Sequence, residues 1–125
     1  MTLKTITTNA GIFTDENFSD SNLLSFANKA ISRINTECKT LFPFYEAINV
    51  EYEALPSFWQ LDLLSPYISY GIKMNDSSLS EANMYLDEFY RALNNFKDNI
   101  GTLVDNYKKG DTANGISSEY INEEG

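Results

Sequence analysis

The feature that most constrains this chain is a stripe of apolar residues towards its C-terminal end. Ala82, Leu86, Phe89, Leu93, Phe96, Ile100, Leu103 and Tyr107 follow one another at spacings of 4, 3, 4, 3, 4, 3 and 4. A helix of 3.6 residues per turn places such a series on one face, whereas a strand would scatter it over two. Ser78-Leu79-Ser80-Glu81 in front of the stripe fits a capping box, with Ser78 as cap and Glu81 as its reciprocal partner. Gly101 weakens the helix locally, by roughly 1 kcal/mol relative to alanine. Lys108 and Lys109 favour the negative end of the helix dipole, and Gly110 is a natural stop. The pattern predicts a helix over residues 78–109, about 45 Å long at ~1.5 Å per residue. A compact globule of this chain length has a radius of gyration of only about 14 Å. The helix should therefore run the length of the subunit or project from it, and it offers more face than one small domain needs to bury.

A second helix is predicted to begin at the N-cap candidates Ser19 to Ser21. Leu23, Ala27, Ile31, Ile34, Cys38 and Leu41 give it one apolar face, and Pro43 ends it, because the residue before a proline avoids helical geometry. Between Phe42 and Met74 lie Phe42, Phe44, Tyr45, Tyr52, Phe58, Trp59, Tyr67 and Tyr70, eight of the seventeen aromatics. Tyr45, Ile48, Tyr52 and Leu55 fit a helical face, so residues 44–54 are expected to form a short helix. Pro56 suits the first turn of the next helix, which carries Phe58, Leu61, Leu64 or Ser65, Ile68 and Ile72. Pro66 inside it should either kink that helix or divide it in two.

The ends read differently. Residues 1–18 show no clear period and contain Thr2, Thr5, Thr7, Thr8 and Gly11, so they are expected to be a flexible arm outside the core. Residues 111–125 are polar and acidic and are expected to be a flexible tail. The expected architecture is thus all-α: a small helical bundle over residues 19–110 with one long C-terminal helix, between an N-terminal arm and an acidic C-terminal tail. The chain's 125 residues suffice for one such domain with one core.

Composition narrows the chemistry. The chain has no histidine, which removes the commonest general base and metal ligand together with the usual Ser-His and Cys-His pairs. Cys38 is the single cysteine; it cannot form an internal disulfide, makes no zinc site alone, and lies on an apolar helix face as a small hydrophobe does. Glu46, Glu51 and Glu53 form a loose acidic cluster and Asp87-Glu88 a pair, but neither matches a calcium loop, and no glycine-rich phosphate loop follows a strand. No catalytic residue, metal or cofactor is expected, and the chain is read as a non-enzyme. Eighteen acids against nine bases, a net charge of −9, argue against a nucleic-acid reader, which needs a basic footprint. An acidic wall can still surround DNA and let it slide, and the plain alternative is solubility. No apolar run approaches the ~20 residues of a membrane span, and residues 1–11 lack the apolar core of a secretory signal.

The central run carries a likeness. Leu41-Phe42-Pro43-Phe44-Tyr45-Glu46-Ala47-Ile48, Ala54-Leu55-Pro56-Ser57-Phe58-Trp59 and residues 63–74, continuing through Asn75-Asp76-Ser77-Ser78-Leu79 into the long helix, resemble the head–tail connector, or head-completion adaptor, proteins of tailed phages, in particular siphophages of Gram-positive hosts. The likeness covers roughly residues 22–109 and rests on packing residues rather than a catalytic signature. It implies a structural virion protein that assembles in the host cytoplasm as a homo-oligomeric ring, usually a dodecamer, at the neck. The ring sits beneath the portal, meets the next neck or tail-completion protein, and extends the DNA channel without sequence-specific binding. It implies no enzymatic activity and no membrane.

Large aromatics are favoured at interface centres, which makes Trp59, Tyr67 and Tyr70 candidate contacts to a neighbouring subunit or partner, with core packing as the alternative. In the tail, Ile116, Tyr120 and Ile121 would share one side of a short helix able to dock in a partner's groove. The competing function is a small acidic inhibitor that mimics DNA, or another helical interaction module. A mimic should carry rows of carboxylates spaced like phosphates, whereas here Lys29, Arg33, Lys73, Arg91 and Lys97 interrupt the acids.

Overall fold

The structure, a computed structural model, describes residues 1–9, 11 and 19–99, together with the backbone of Thr112–Ala113 and Gly115–Ile116. Its packed body is made of four helices: α1 (Leu3–Asn9), α2 (Asp20–Cys38), α3 (Ser57–Asn75) and α4 (Leu79–Asn99). The two backbone fragments pair as a two-residue antiparallel ladder, β1 (Thr112–Ala113) with β2 (Gly115–Ile116). The expected extension of the last helix to residue 109, and the remainder of the expected tail, lie outside the described residues.

α2 starts as its sequence directs. The Ser19 hydroxyl accepts the Asn22 N–H at 3.2 Å, and Asp20 puts a negative charge in the first turn. The helix stops at Cys38, before Pro43 can act: Lys39 takes a left-handed conformation (φ 56°) and donates its N–H to the Asn35 carbonyl. Leu23, Ala27, Ile31 and Ile34 are buried as the spacing requires, but Leu41 falls beyond the helix end and is 60% exposed.

α3 runs through Pro66 as one helix, so of the two outcomes expected there division is not the one found. It packs antiparallel to both of its long neighbours. Its C-terminal residues Tyr70 and Gly71 meet Phe26 near the start of α2, while Tyr67 meets Phe89 and Trp59 meets Phe96 along α4. α4 buries Ala82, Phe89, Leu93 and Phe96, the first part of the predicted stripe. At its start the Ala82 N–H bonds the Ser78 carbonyl, and Glu81 reaches back across the turn to Lys73 at 3.3 Å.

Two expectations fail. Residues 3–9 are no arm: α1 buries Leu3 and Ile6 completely, and both belong to the one core. Thr2 starts this helix by accepting the Thr5 N–H, and the hydroxyls of Thr7 and Thr8 bond back to the Lys4 carbonyl. Seven residues cannot hold a helix alone. This one is fixed by docking on the segment between α2 and α3, with Lys4 N–H on the Ile48 carbonyl and Tyr52 N–H on the Met1 carbonyl. The second failure is residues 44–54, which form no helix. Tyr45, Tyr52 and Leu55 are buried as their 3–4 spacing suggests, but their backbone is irregular and is held by side-chain amides from α2 and α3.

Candidate interaction surface

The connecting segment, residues 39–56, is pinned at three points. Asn35 bonds both backbone groups of Phe42 and also accepts the Thr40 hydroxyl. Asn28, two turns earlier, bonds both backbone groups of Tyr45. Gln60, 1% exposed, donates its Nε2 to the carbonyls of Tyr52 (2.9 Å) and Leu55 (2.7 Å), and its Oε1 accepts the Tyr45 hydroxyl at 3.0 Å. The rings of Tyr45 and Tyr52 stack at 4.0 Å, and the Tyr52 hydroxyl donates to the Pro43 carbonyl. Burial raises the pKa of the Tyr45 phenol well above its ordinary value, with the neighbouring Tyr52 adding to the shift, so the phenol stays a neutral donor.

With the backbone held from beneath, several large apolar side chains point outward. Around the N-terminal end of α3 these are Phe58 (62% exposed), which packs edge-on against Trp59, and Leu41, whose neighbour Phe42 meets Phe96. Around the turn from α3 to α4 they are Met74, Leu79 and Met84. Phe58 and Met74 lie sixteen positions apart on one helix, about 24 Å along its axis at ~1.5 Å per residue. Phe44 and Val50 are exposed on the connecting segment itself.

The residues singled out from sequence fall in different places. Trp59 is half-buried, wedged between Phe58 and Phe96. Tyr67 is only 8% exposed; its ring packs against Phe26, Tyr70 and Phe89, and burial raises its pKa, with Tyr70 adding to the shift. Tyr70 is half-buried against Phe26 and Tyr67, so these two tyrosines share one cluster while Trp59 stands at the other end of α3. Of the tail residues only the backbone of Ile116 is described; Tyr120 and Ile121 lie outside the described residues. Sequence reasoning placed Phe58 on the buried face of its helix. Phe58 is instead 62% exposed, while its neighbour Trp59 turns inward to Phe96.

The surface offers little reactive chemistry. Among the described residues no three His, Cys, Asp or Glu side chains gather as a metal-binding group, and no described helix is long and apolar enough to cross a membrane. The Cys38 thiol is half-buried, and desolvation pushes its pKa up to about 11 against the pull of Lys97, so at neutral pH it is a protonated, weak nucleophile. A shallow groove of about 420 Å³ runs between α3 and α4, where Asp62, Glu88 and Arg91 stand beside Leu61 and Ala92.

No protein-family model matches the sequence, and neither a curated protein nor a solved structure resembles it closely enough to count as a match.

Proposed function

We propose that the chain is a head–tail connector subunit of a tailed phage, assembling as a ring beneath the portal and lining the DNA channel towards the tail. The observation that carries this is the pair of unlike apolar surfaces at the two ends of α3, Leu41 with Phe58 at one and Met74, Leu79 and Met84 at the other. A closed ring is built from heterologous contacts, in which one face of a subunit meets a different face of the next, so each subunit needs two distinct adhesive surfaces. Large apolar side chains exposed towards both ends of α3 offer a neighbouring subunit something to bury on either side.

The likeness of the central run to connector proteins supports the same function, and so does the charge. A net charge of −9 suits a channel wall that repels phosphate and does not grip it. The proposal takes the long-helix expectation with it: a helix reaching residue 109 would add Ile100, Leu103 and Tyr107 to the face available to a neighbouring subunit. It also takes the docking of the tail, through Ile116, Tyr120 and Ile121, on the portal or on the next ring.

Native mass spectrometry of the purified protein, alone and mixed with portal protein, tests the proposal. A ring-sized species, dodecameric in the simplest case, is expected in at least the mixture. A strict monomer in both, able to displace DNA from a basic enzyme, would replace it with the DNA-mimic function.

A further inference from the structure

Phe26, Lys29 and Arg33 follow one another at spacings of 3 and 4 on α2, so they line one edge of that helix. The Phe26 ring lies 6.2 Å from the rings of both Tyr67 and Tyr70 on α3, and it carries the Lys29 ammonium group 4.6 Å from its centre. Tyr67 packs in turn against Phe89 of α4, and Phe89 against Tyr90. One cluster thus draws two cations from α2 and three phenols from α3 and α4. Burial raises the pKa of Tyr67; of its neighbours, Tyr70 and Tyr90 add to the rise and Arg33 opposes it, so all three face the same hydroxyl.

Two of these groups lack the partner their chemistry calls for. Tyr67 is 8% exposed, yet its hydroxyl makes no hydrogen bond to a described residue, whereas a buried tyrosine hydroxyl ordinarily has one. Arg33 makes no ion pair among the described residues, although the chain has eighteen acids to nine bases. Lys73, Lys97 and the Met1 ammonium group each take a glutamate. Lys29 and Arg33 are like charges four positions apart on one helix, an arrangement that destabilises it. An anion placed beside both would relieve that repulsion and accept the Tyr67 O–H.

We propose that Arg33, Lys29 and the Tyr67 hydroxyl form a binding site for a phosphate monoester. Two cations match the nearly two negative charges such a group carries at neutral pH. The planar Arg33 fork presents parallel N–H groups to two of its oxygens, and the phenol O–H suits a third. A carboxylate brings one charge and two oxygens and would leave donors unused. A nucleic acid brings many phosphates to a chain of net charge −9, whose other carboxylates repel it. The site goes beyond the connector function and does not depend on it.

The test is an NMR titration of the isotope-labelled full chain, at constant ionic strength, with inorganic phosphate, AMP, a blocked phosphoserine peptide, the same peptide with plain serine, acetate and a short DNA duplex. The first three are expected to give saturable shifts at the amides of Lys29, Arg33, Tyr67 and Tyr70, and to leave those of the exposed lysines Lys4 and Lys39 in place. Arg33→Gln should lose about tenfold or more in affinity and Tyr67→Phe several-fold. Both variants should keep the folded spectrum, because Arg33 is exposed and the Tyr67 hydroxyl bonds no described residue. Tightest binding of the phosphopeptide supports the proposal with a phosphorylated protein as the source; tightest binding of AMP or inorganic phosphate supports it with a free phosphate as the source. No saturable shift with any of the three, equal binding of acetate or of the serine peptide, equal shifts at Lys4 and Lys39, or unchanged affinity in either variant would each overturn it. Tighter binding of the duplex would also overturn it, by assigning the cluster to nucleic acid.

Discussion

Asn35 holds Phe42 by both of its backbone groups, donating its Nδ2 to the Phe42 carbonyl at 3.0 Å and accepting the Phe42 N–H on its Oδ1 at 2.9 Å. Asn28 repeats the arrangement on Tyr45, at 3.0 and 2.7 Å. A side-chain amide has the donor and acceptor of a peptide group in one plane. Placed seven residues apart on α2, the two asparagines offer the connecting segment what the edge of a neighbouring strand would offer, without a strand.

Replacing Asn35 by alanine is expected to remove its bonds to the Phe42 N–H and carbonyl together and to cost about 2–4 kcal/mol, since losing the partner of a part-buried polar group costs about 1–3. Asn35→Asp keeps the acceptor and loses the donor, and should fall between alanine and the parent. Chemical denaturation reads the difference; an unchanged midpoint for Asn35→Ala would show that the segment is not held this way.

Gln60 is the more demanding site, because its amide makes three bonds while 1% exposed. Gln60→Leu should destabilise by about 3 kcal/mol or more, leaving two carbonyls and the Tyr45 hydroxyl without that partner. Gln60→Glu should be milder at low pH than at neutral pH, where a buried carboxylate has lost its donor and carries a charge. Equal stability of the Glu variant at both pH values would rule out burial of this side chain in solution.

These amide sites explain which parts of the fold were legible. α2 and α4 could be read because long stripes at 3–4 spacing are hard to produce by any other geometry. Tyr45, Ile48, Tyr52 and Leu55 imitate such a stripe, yet their burial is arranged by Asn28, Asn35 and Gln60, and nothing in a local window reveals that polar side chains elsewhere supply the backbone's partners. α1 was missed for a similar reason. Its threonines and seven-residue length give no local signal, and its bonds run to Ile48 and Tyr52, more than forty positions away. In the candidate surface, the aromatic content of the central segment was visible, but the outward rotation of Phe44 follows from how the segment is pinned.

Gly71 gives a test of packing in which two effects oppose one another. Glycine inside a helix is disfavoured by about 1 kcal/mol relative to alanine, so Gly71→Ala would ordinarily stabilise. Here a Cβ would sit 2.7 Å from two atoms of the Phe26 ring and 2.9 Å from a third. One of the nearest is the ring atom attached to its Cβ, so the ring cannot simply swing its tip away. Overpacking of this kind costs about 1–3 kcal/mol. A lower Tm is expected for Gly71→Ala, with recovery when Phe26→Leu is added. A higher Tm for the single variant would mean that α2 and α3 part easily.

Cys38 sets an alkaline limit. Its pKa rises from 9.0 to about 11, mainly by desolvation. Above pH 9.0 the unfolded chain begins to release a proton that the folded chain keeps, so the stability from the neutral thiol is present below that pH and is lost as pH rises towards about 11. Thermal melts across this window should show a declining Tm, with a shallower decline for Cys38→Ala. Identical slopes would place the thiol in water. The buried phenol of Tyr45 acts in the same direction from about pH 10 upwards, so a decline should persist in the alanine variant.

The docking of α1 has a consequence for how the protein is made. Leu3 and Ile6 leave the ribosome before the surfaces that cover them exist: Ile48 and Tyr52 come more than forty residues later, and α3 later still. At a synthesis rate of about 5–20 residues per second these two side chains wait roughly 3–10 s in water before they have anything to close against. α1 is therefore translated well before it can close, and must wait for the connecting segment and α3. A translation pause before residue 60 would keep it open to any chaperone that binds short apolar segments.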